Sequence, residues 1–309
     1  MIATAFGPHR IFDAHTHFFT QGFLANLGKV AGLQPDAAIV ALRLGWEVPP
    51  KEPAEVGRVW LTEFDKYGVD RAIAIHTLPG DLETAGAGIA ATAGRLTGYV
   101  TIDPASPTAV TTLGRAIALG FRGLALFPGM FRFSMTSDAA YVLLQMANTH
   151  RMNVMVHCGV LKVSFRNKLG LPAAFDGSLS NPLSLQRPCA EFPQAKFIVP
   201  HLGSGLFREL LMLADQQSNV YADTSGIGGW AKYLDGAPSK AQVLRQAIGV
   251  LGADRILFGT DSTFFPRGWR KDVFDEHLRV FEEAKLDETE VGKILGGNME
   301  AMIGSGRAA

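Results

Sequence analysis

The chain has 309 residues, 47% of them apolar and 19% charged, with 29 basic side chains set against 29 acidic ones. A chain of this size buries roughly three quarters of the surface its unfolded form exposes, so folding requires neither disulfides nor a metal staple. Zero formal net charge removes the electrostatic footprint that nucleic acid or an anionic membrane surface would require, so neither is expected as a partner.

The opening MIATAFGPHR lacks the basic start and apolar run of a secretory or targeting segment, and no apolar stretch approaches the roughly 20 residues of a membrane span. Cys158 and Cys189 belong to no CxxC pair and form no disulfide framework. A reducing, cytoplasmic setting is the simplest reading.

In chain order, eight short runs read as strands: 11–15, 69–76, 97–102, 123–127, 153–157, 196–201, 219–223 and 255–259. Several are continuously apolar (AIAI, LALF, FIV, ILF), as parallel strands buried on both faces are. Helical patterns lie between them: AGAGIAATAG as a small-residue helix, then TLGRAIALG, DAAYVLLQMANTH, GLFRELLMLADQQ and AQVLRQAIGVLG. Gly120 and Gly252 stand in C-cap position after two of these. Strands alternating with helices predict an α/β protein, a single (β/α)8 TIM barrel over residues 1–309, with a doubly wound open sheet as the alternative. Long connections after the first strand (18–53) and the fifth (159–193) fall on the face where barrels build their sites. No repeat, charge block or Pro/Gly linker divides the chain.

The histidines carry the functional signal. His15 and His17 stand two apart at the end of strand one, so their side chains project to the same side. His157 ends strand five, His201 ends strand six and Asp261 follows strand eight. In a closed barrel strand eight lies beside strand one and strand five lies across the mouth, so His15, His17, His157 and Asp261 can meet at the carboxyl end. Three neutral imidazoles and one carboxylate suit Zn²⁺, with Mn²⁺, Fe²⁺ or Co²⁺ as alternatives. Any one of these residues alone would be read as an ordinary hydrogen-bonded side chain; their joint placement at strand ends is what points to a site. His9, His150 and His277 read as structural, His76 as structural or pocket-lining, and Cys158, next to His157, as packed against the helices.

FDAHTHFF, GFRGLALFPG, MNVMVHCG, NPLSLQRPCAEFPQAKFIVPHLGSG, NVYADTSG and DRILFGTDSTFFP, in order from about Ile11 to Phe265, together resemble the amidohydrolase superfamily. The resemblance is to its amidohydrolase-related (amidohydrolase 2) branch, which contains aminocarboxymuconate-semialdehyde decarboxylase, related aromatic-acid decarboxylases and lactone hydrolases. It implies one divalent metal on His15, His17, His157 and Asp261, with His201 acting beside it and Asp261 doubling as a proton acceptor. Many binuclear members carry a carbamylated lysine at the end of strand four; GLALFPG has no lysine, which favours a single ion. Arg43 and Trp46 after strand one, Arg166 after strand five, and Phe264 and Arg267 after strand eight are the candidate contacts to a planar or cyclic substrate bearing a carboxylate. The aromatics of FFPRGW could instead cover the barrel rim or form a homodimer contact. The expected activity is hydrolysis of an ester, lactone or amide of a small molecule through a metal-activated water. Nonoxidative decarboxylation is the alternative, and a noncatalytic barrel with a residual metal site a third.

Overall fold

The computed structural model describes residues 2–77, 81–263 and 267–304. Its centre is a run of parallel strands: β1 (Phe12–Phe18), β2 (Arg71–His76), β3 (Leu96–Thr101), β4 (Gly123–Leu126), β5 (Asn153–Val156), β6 (Lys196–Val199), β7 (Val220–Asp223), β8 (Ile256–Leu257) and β9 (Ser262–Thr263). From β1 to β8 each pairs with the next, and β9 returns to β1, with Ser262 opposite Thr16 and Thr263 opposite His17. β8 and β9 are therefore two halves of one broken eighth strand, and the sheet closes as a (β/α)8 barrel. A 2.8 Å hydrogen bond from Ala14 N to Phe258 O spans the break.

The pleat sorts the core into two layers. In β2, Ile73 and Ile75 pack inside the barrel with Phe12, Met155, Ile198 and Leu257, while Ala72 and Ala74 face the helices. His76 shares the parity of Ala72 and Ala74, so this fully buried histidine faces the helical layer and does not line the mouth. Cys158 likewise packs with the outer cluster.

Strand ends differ from expectation where pairing continues or breaks. β1 runs on to Phe18 because its ladder with β2 extends to Phe18 opposite His76. The eighth strand, expected as one run, is interrupted. Helices fall close to their predicted positions at Asp138–Thr149, Phe207–Gln216 and Lys240–Leu251; of the Ala/Gly-rich stretch, expected helical over 85–94, residues 85–90 end the helix Leu82–Ala90 and 91–94 form turns. Sequence patterning does not anticipate the hairpin Ile2–Thr4 with Gly7–His9. His277, read from its polar neighbours, is buried on the inner face of the helix Lys271–Glu283, with its ring nitrogens 2.7 Å from Val273 O and 3.1 Å from Thr224 O.

The two long connections meet over the barrel mouth. The first carries the helices Gln21–Val30 and Ala37–Leu44, and the second the short turn Ser164–Leu169. They share a small core of their own, with Phe23, Leu27, Val40, Leu44 and Leu169 at its centre. Lys168 Nζ donates to Leu44 O at 2.6 Å, and the rings of Trp46 and Phe165 meet at 4.9 Å. Among the described residues no helix is long and apolar enough to cross a membrane.

Candidate active site

His15 and His17 reach the mouth through an irregularity in β1. Phe12 and Ala14 face the barrel interior, so an unbroken pleat would turn both histidines outward with Asp13. The register with β2 shifts between Asp13 and Thr16, and this bulge reverses the phase. The two imidazoles then lie 5.3 Å apart, centroid to centroid.

Their outer nitrogens face a carboxylate and a hydroxyl whose own proton is directed at a carbonyl. His15 Nδ1 donates to Asp223 Oδ2 at 2.9 Å. His17 Nδ1 donates to Thr77 Oγ1 at 3.0 Å, the Thr77 hydroxyl itself donating to Ile75 O. The Nε2 atoms are left facing Asp261 Oδ1, at 3.7 Å from His15 and 3.1 Å from His17. Ligand atoms of these three residues all lie within 4.8 Å of one another. Two imidazole nitrogens and a carboxylate directed at one point need a proton or a cation among them, so this donor set fits a divalent metal.

Electrostatics supports that reading. Burial opposes protonation of His15, but the Asp223 carboxylate, with Asp261 and Asp13 behind it, outweighs burial and lifts its pKa to about 9. Without metal a proton thus takes the place of the cation. Asp261 is held below the ordinary carboxylate range: partial desolvation would raise it, but the His17 hydrogen bond and the charge of His15 prevail.

His201 and His157 complete the mouth. The His201 ring lies 4.9 Å from His15 and 5.1 Å from His157. Its Nδ1–H donates to Ser225 O at 2.9 Å, leaving Nε2 as the basic atom. Burial and the charge of His15 lower its pKa, so it rests neutral. His157 stacks on Phe127, and among the described residues its buried Nδ1 has no hydrogen-bond partner. Burial, with His201 and His15 nearby, pushes its pKa well below the usual histidine value. It lines the same pocket but lies outside the 4.8 Å group formed by His15, His17 and Asp261.

Asp223, at the end of β7, is the hub of this network and is not singled out by the sequence reading. Its Oδ1 accepts from His201 N at 3.1 Å, from Ser225 N at 2.9 Å and from Ser225 Oγ, while Oδ2 accepts from His15. The available signal was position: an aspartate in NVYADTSG at the end of a barrel strand, as His157 is. Beneath it lies Asp13, which accepts from His15 N, Thr260 N, Thr260 Oγ1 and Trp269 Nε1. Burial outweighs those donors and holds Asp13 at a pKa of about 6. Two glycines make room. A Cβ at Gly259 would lie 3.0 Å from the His15 Cβ, and one at Gly159, where φ is +76°, would lie 2.2 Å from Gly203 O.

Above these groups is a cavity of about 450 Å³ walled by Phe19, Phe23, Trp46, Phe127 and Phe165. Of the substrate contacts expected from sequence, Trp46, Arg166 and Arg267 line it. Arg267 Nη2 lies 3.4 Å from Asp261 O, whereas Arg166 Nε is engaged with Pro172 O at 2.7 Å. Arg43 is not brought to the cavity; it is exposed on the helix Ala37–Leu44, whose inner face is taken by Val40 and Leu44. Phe264 lies outside the described residues. Trp269, also in FFPRGW, is buried as the Asp13 donor.

The Amidohydrolase family model matches residues 12–304. The chain belongs to the amidohydrolase family. Among curated proteins, the protein fluG of Emericella nidulans is 31% identical over 87 residues, which is 28% of this chain and 10% of that protein. The chain thus matches about a tenth of that relative's length. Solved structures share the barrel over its whole extent. 5-Carboxyvanillate decarboxylase from Sphingomonas paucimobilis superposes with a TM-score of 0.65 at 17% identity, covering 96% of this chain and 99% of that one. A probable 2-pyrone-4,6-dicarboxylic acid hydrolase from Acinetobacter baumannii gives 0.60 at 14%, covering 95% and 99%. An amidohydrolase from Burkholderia multivorans with bound zinc gives 0.60 at 15%, covering 95% and 99%. At these identities the likeness shows the barrel fold alone and leaves the reaction to the site.

Proposed function

We propose that the chain works as one domain, residues 1–309, and is a metal-dependent hydrolase of an ester, lactone or amide in a small carboxylate-bearing molecule. The observation that carries this reading is the resting state of His201 and of Asp261, itself a candidate ligand. His201, with Nδ1–H committed to Ser225 O, offers a bare Nε2, and Asp261 is ionised; both accept protons. Activation of water requires acceptors, whereas protonation of a carbon that has lost CO₂ requires a donor.

His15, His17, His157 and Asp261 would hold one ion, zinc by preference, with manganese, iron or cobalt as alternatives. When bound, that ion supplies Lewis acidity, polarising a substrate oxygen or lowering the pKa of a water toward about 7. His201 takes the proton of the attacking water on Nε2 and returns it to the leaving group, Asp261 sharing the first transfer. Asp223 holds the His15 ring and the His201 backbone in place throughout. Arg267, with Arg166, would grip the substrate carboxylate, and the aromatic wall beneath the two long connections would exclude water from the ring. β4 presents no lysine at its end, so no bridging carbamate is available for a second ion. Two buried free thiols, Cys158 and Cys189, suit a reducing, cytoplasmic compartment.

Decarboxylation is the second reading, favoured by Arg267 standing beside Asp261, where a departing carboxylate would need a cation. Turnover of lactone, amide and aromatic-acid panels in ¹⁸O-labelled water separates the two. A hydrolase places the label in its product acid. Stoichiometric CO₂ release with solvent hydrogen on carbon, and no hydrolysis across the panel, would reverse the assignment.

A further inference from the structure

A second cavity, of about 660 Å³, opens at the opposite end of the barrel. It lies beneath the amino ends of β4 to β7, where Arg122 precedes β4, Asn153 begins β5, Lys196 begins β6 and Tyr221 follows the start of β7; the helix Asn298–Ile303 closes one side. The volume is that of a small-molecule site. The barrel's interior layer, including the Tyr99 hydroxyl bonded to Asn153 Nδ2 at 2.7 Å, separates it from the catalytic mouth.

Its charge is one-sided. Among the described residues Arg122, His150, Arg151 and Lys196 line the cavity and no aspartate or glutamate does. Among the described residues none of these four takes part in an ion pair. The other half of the same face is built differently. Arg71, which begins β2, pairs with Glu300 at 2.9 Å, and Arg95, just before β3, pairs with Asp65 at 2.5 Å. Arg255, before β8, is spent on the carbonyls of Leu251, Ala214, Gln217 and Val250. Lys196 is half-buried, and burial lowers its pKa with no carboxylate to offset it. Arg151 adopts φ +51° directly after the helix that ends at Thr149 and its cap His150, a place that glycine usually fills.

Cationic side chains gathered around a concave, acid-free space are the arrangement that binds dispersed negative charge. We propose that this cavity is a second ligand site, for a small organic polyanion carrying two or three carboxylate or phosphoryl groups. Arg122 and Arg151 supply planar, bidentate donors and Lys196 a compact charge at the inner wall. The zero net charge of the chain and the limited volume argue for a metabolite-sized ligand over a nucleic acid.

The test is calorimetric titration of the purified full chain, as isolated, with propane-1,2,3-tricarboxylate and separately with a sugar bisphosphate, at constant ionic strength. Saturable binding of one or both is expected, and the stronger of the two assigns the anionic group. Arg122→Ser and Lys196→Met should each weaken it about tenfold or more, the scale of a lost charge-assisted hydrogen bond. Arg122→Lys, which keeps the charge and loses the bidentate fork, should weaken it less than Arg122→Ser does, and Arg267→Gln, at the other mouth, should leave it unchanged. Thermal melts without ligand verify that each variant is folded. Absence of saturable binding by both probes overturns the proposal. So does binding that the two cavity variants leave intact or that Arg267→Gln abolishes, since the anion would then sit elsewhere.

Discussion

Asp223→Asn is the substitution that probes the site most sharply. Asp223 Oδ1 accepts from three donors, His201 N, Ser225 N and Ser225 Oγ. An asparagine keeps its carbonyl oxygen there, which turns its NH₂ toward His15 Nδ1. That donor forces the neutral His15 into the tautomer protonated on Nε2, the nitrogen facing Asp261. Loss of such an orienting partner costs about 10- to 100-fold in metal affinity, or about 1.4 to 2.7 kcal/mol, and the wrong tautomer places this case at the upper end. A second effect acts in the opposite direction. With Asp223 present, His15 has a pKa of about 9, so at pH 7 the metal must displace a proton, at a cost of about 100-fold in apparent affinity. The variant loses that competition along with the carboxylate. Chelator-competition titrations between pH 7 and 9 should therefore show wild-type affinity rising about tenfold per pH unit and the variant nearly flat, with the deficit widest at pH 9. A variant as steep and as tight as wild type across that range would refute the claim that Asp223 sets the His15 tautomer.

Three further outcomes follow from the same geometry. His201→Asn should retain metal while lowering turnover by about 100-fold or more, the scale of a positioned acid–base group; loss of metal by elemental analysis would make His201 a ligand. In the metal-free protein the raised pKa of His15 contributes stability that is complete below its unfolded value of 6.5 and lost as pH rises through about 9, a change of about 3 kcal/mol readable from urea unfolding in chelator at pH 6.5 and 9. Trp269→Phe removes the 2.8 Å bond to Asp13 Oδ2 and should destabilise the fold by about 1.5 to 3 kcal/mol in the same assay, because a buried carboxylate loses a donor.

Strand existence and order were legible because parallel strands buried on both faces read as apolar runs, and His15, His17, His157, His201 and Asp261 were legible because a barrel gathers strand ends. What the sequence hid was phase. No residue pattern in FDAHTHF announces the bulge that turns His15 and His17 inward, since Phe12 and Ala14 alone predict the reverse. Arg43 misled because an arginine close to Trp46 reads as a rim contact, whereas helical periodicity between Val40 and Leu44 sends it to solvent. Asp223 was hidden for a different reason. It carries no distinctive spacing, and its importance arises from bonds to His201 on the neighbouring strand end and to His15, 208 positions away, which only closure of the barrel brings within reach.

The backbone at His201 and Asp261 supports assigning them chemistry as well as structure. His201, Leu202, Gly203 and Ser204 have φ of +56°, +49°, +82° and +46°, and Asp261 has +54°. For side chains other than glycine this conformation costs on the order of 1 kcal/mol each, so it persists only where neighbours hold it. The neighbours are identifiable. Asp223 Oδ1 holds the His201 amide, Val160 N and Gly159 pack the turn from β5, and Asp13 grips Thr260 immediately before Asp261. A regular eighth strand would run straight from β8 into β9 without the excursion that leaves the Asp261 side chain 44% exposed beside His17. A regular end to β6 would not bring His201 onto the His15 ring. The same buried carboxylates, Asp13 and Asp223, thus orient the candidate ligands and hold the two strained turns. On the proposed reading the polar layer beneath the mouth frames proton transfer, and Asp223→Asn there should lower turnover more than it lowers stability.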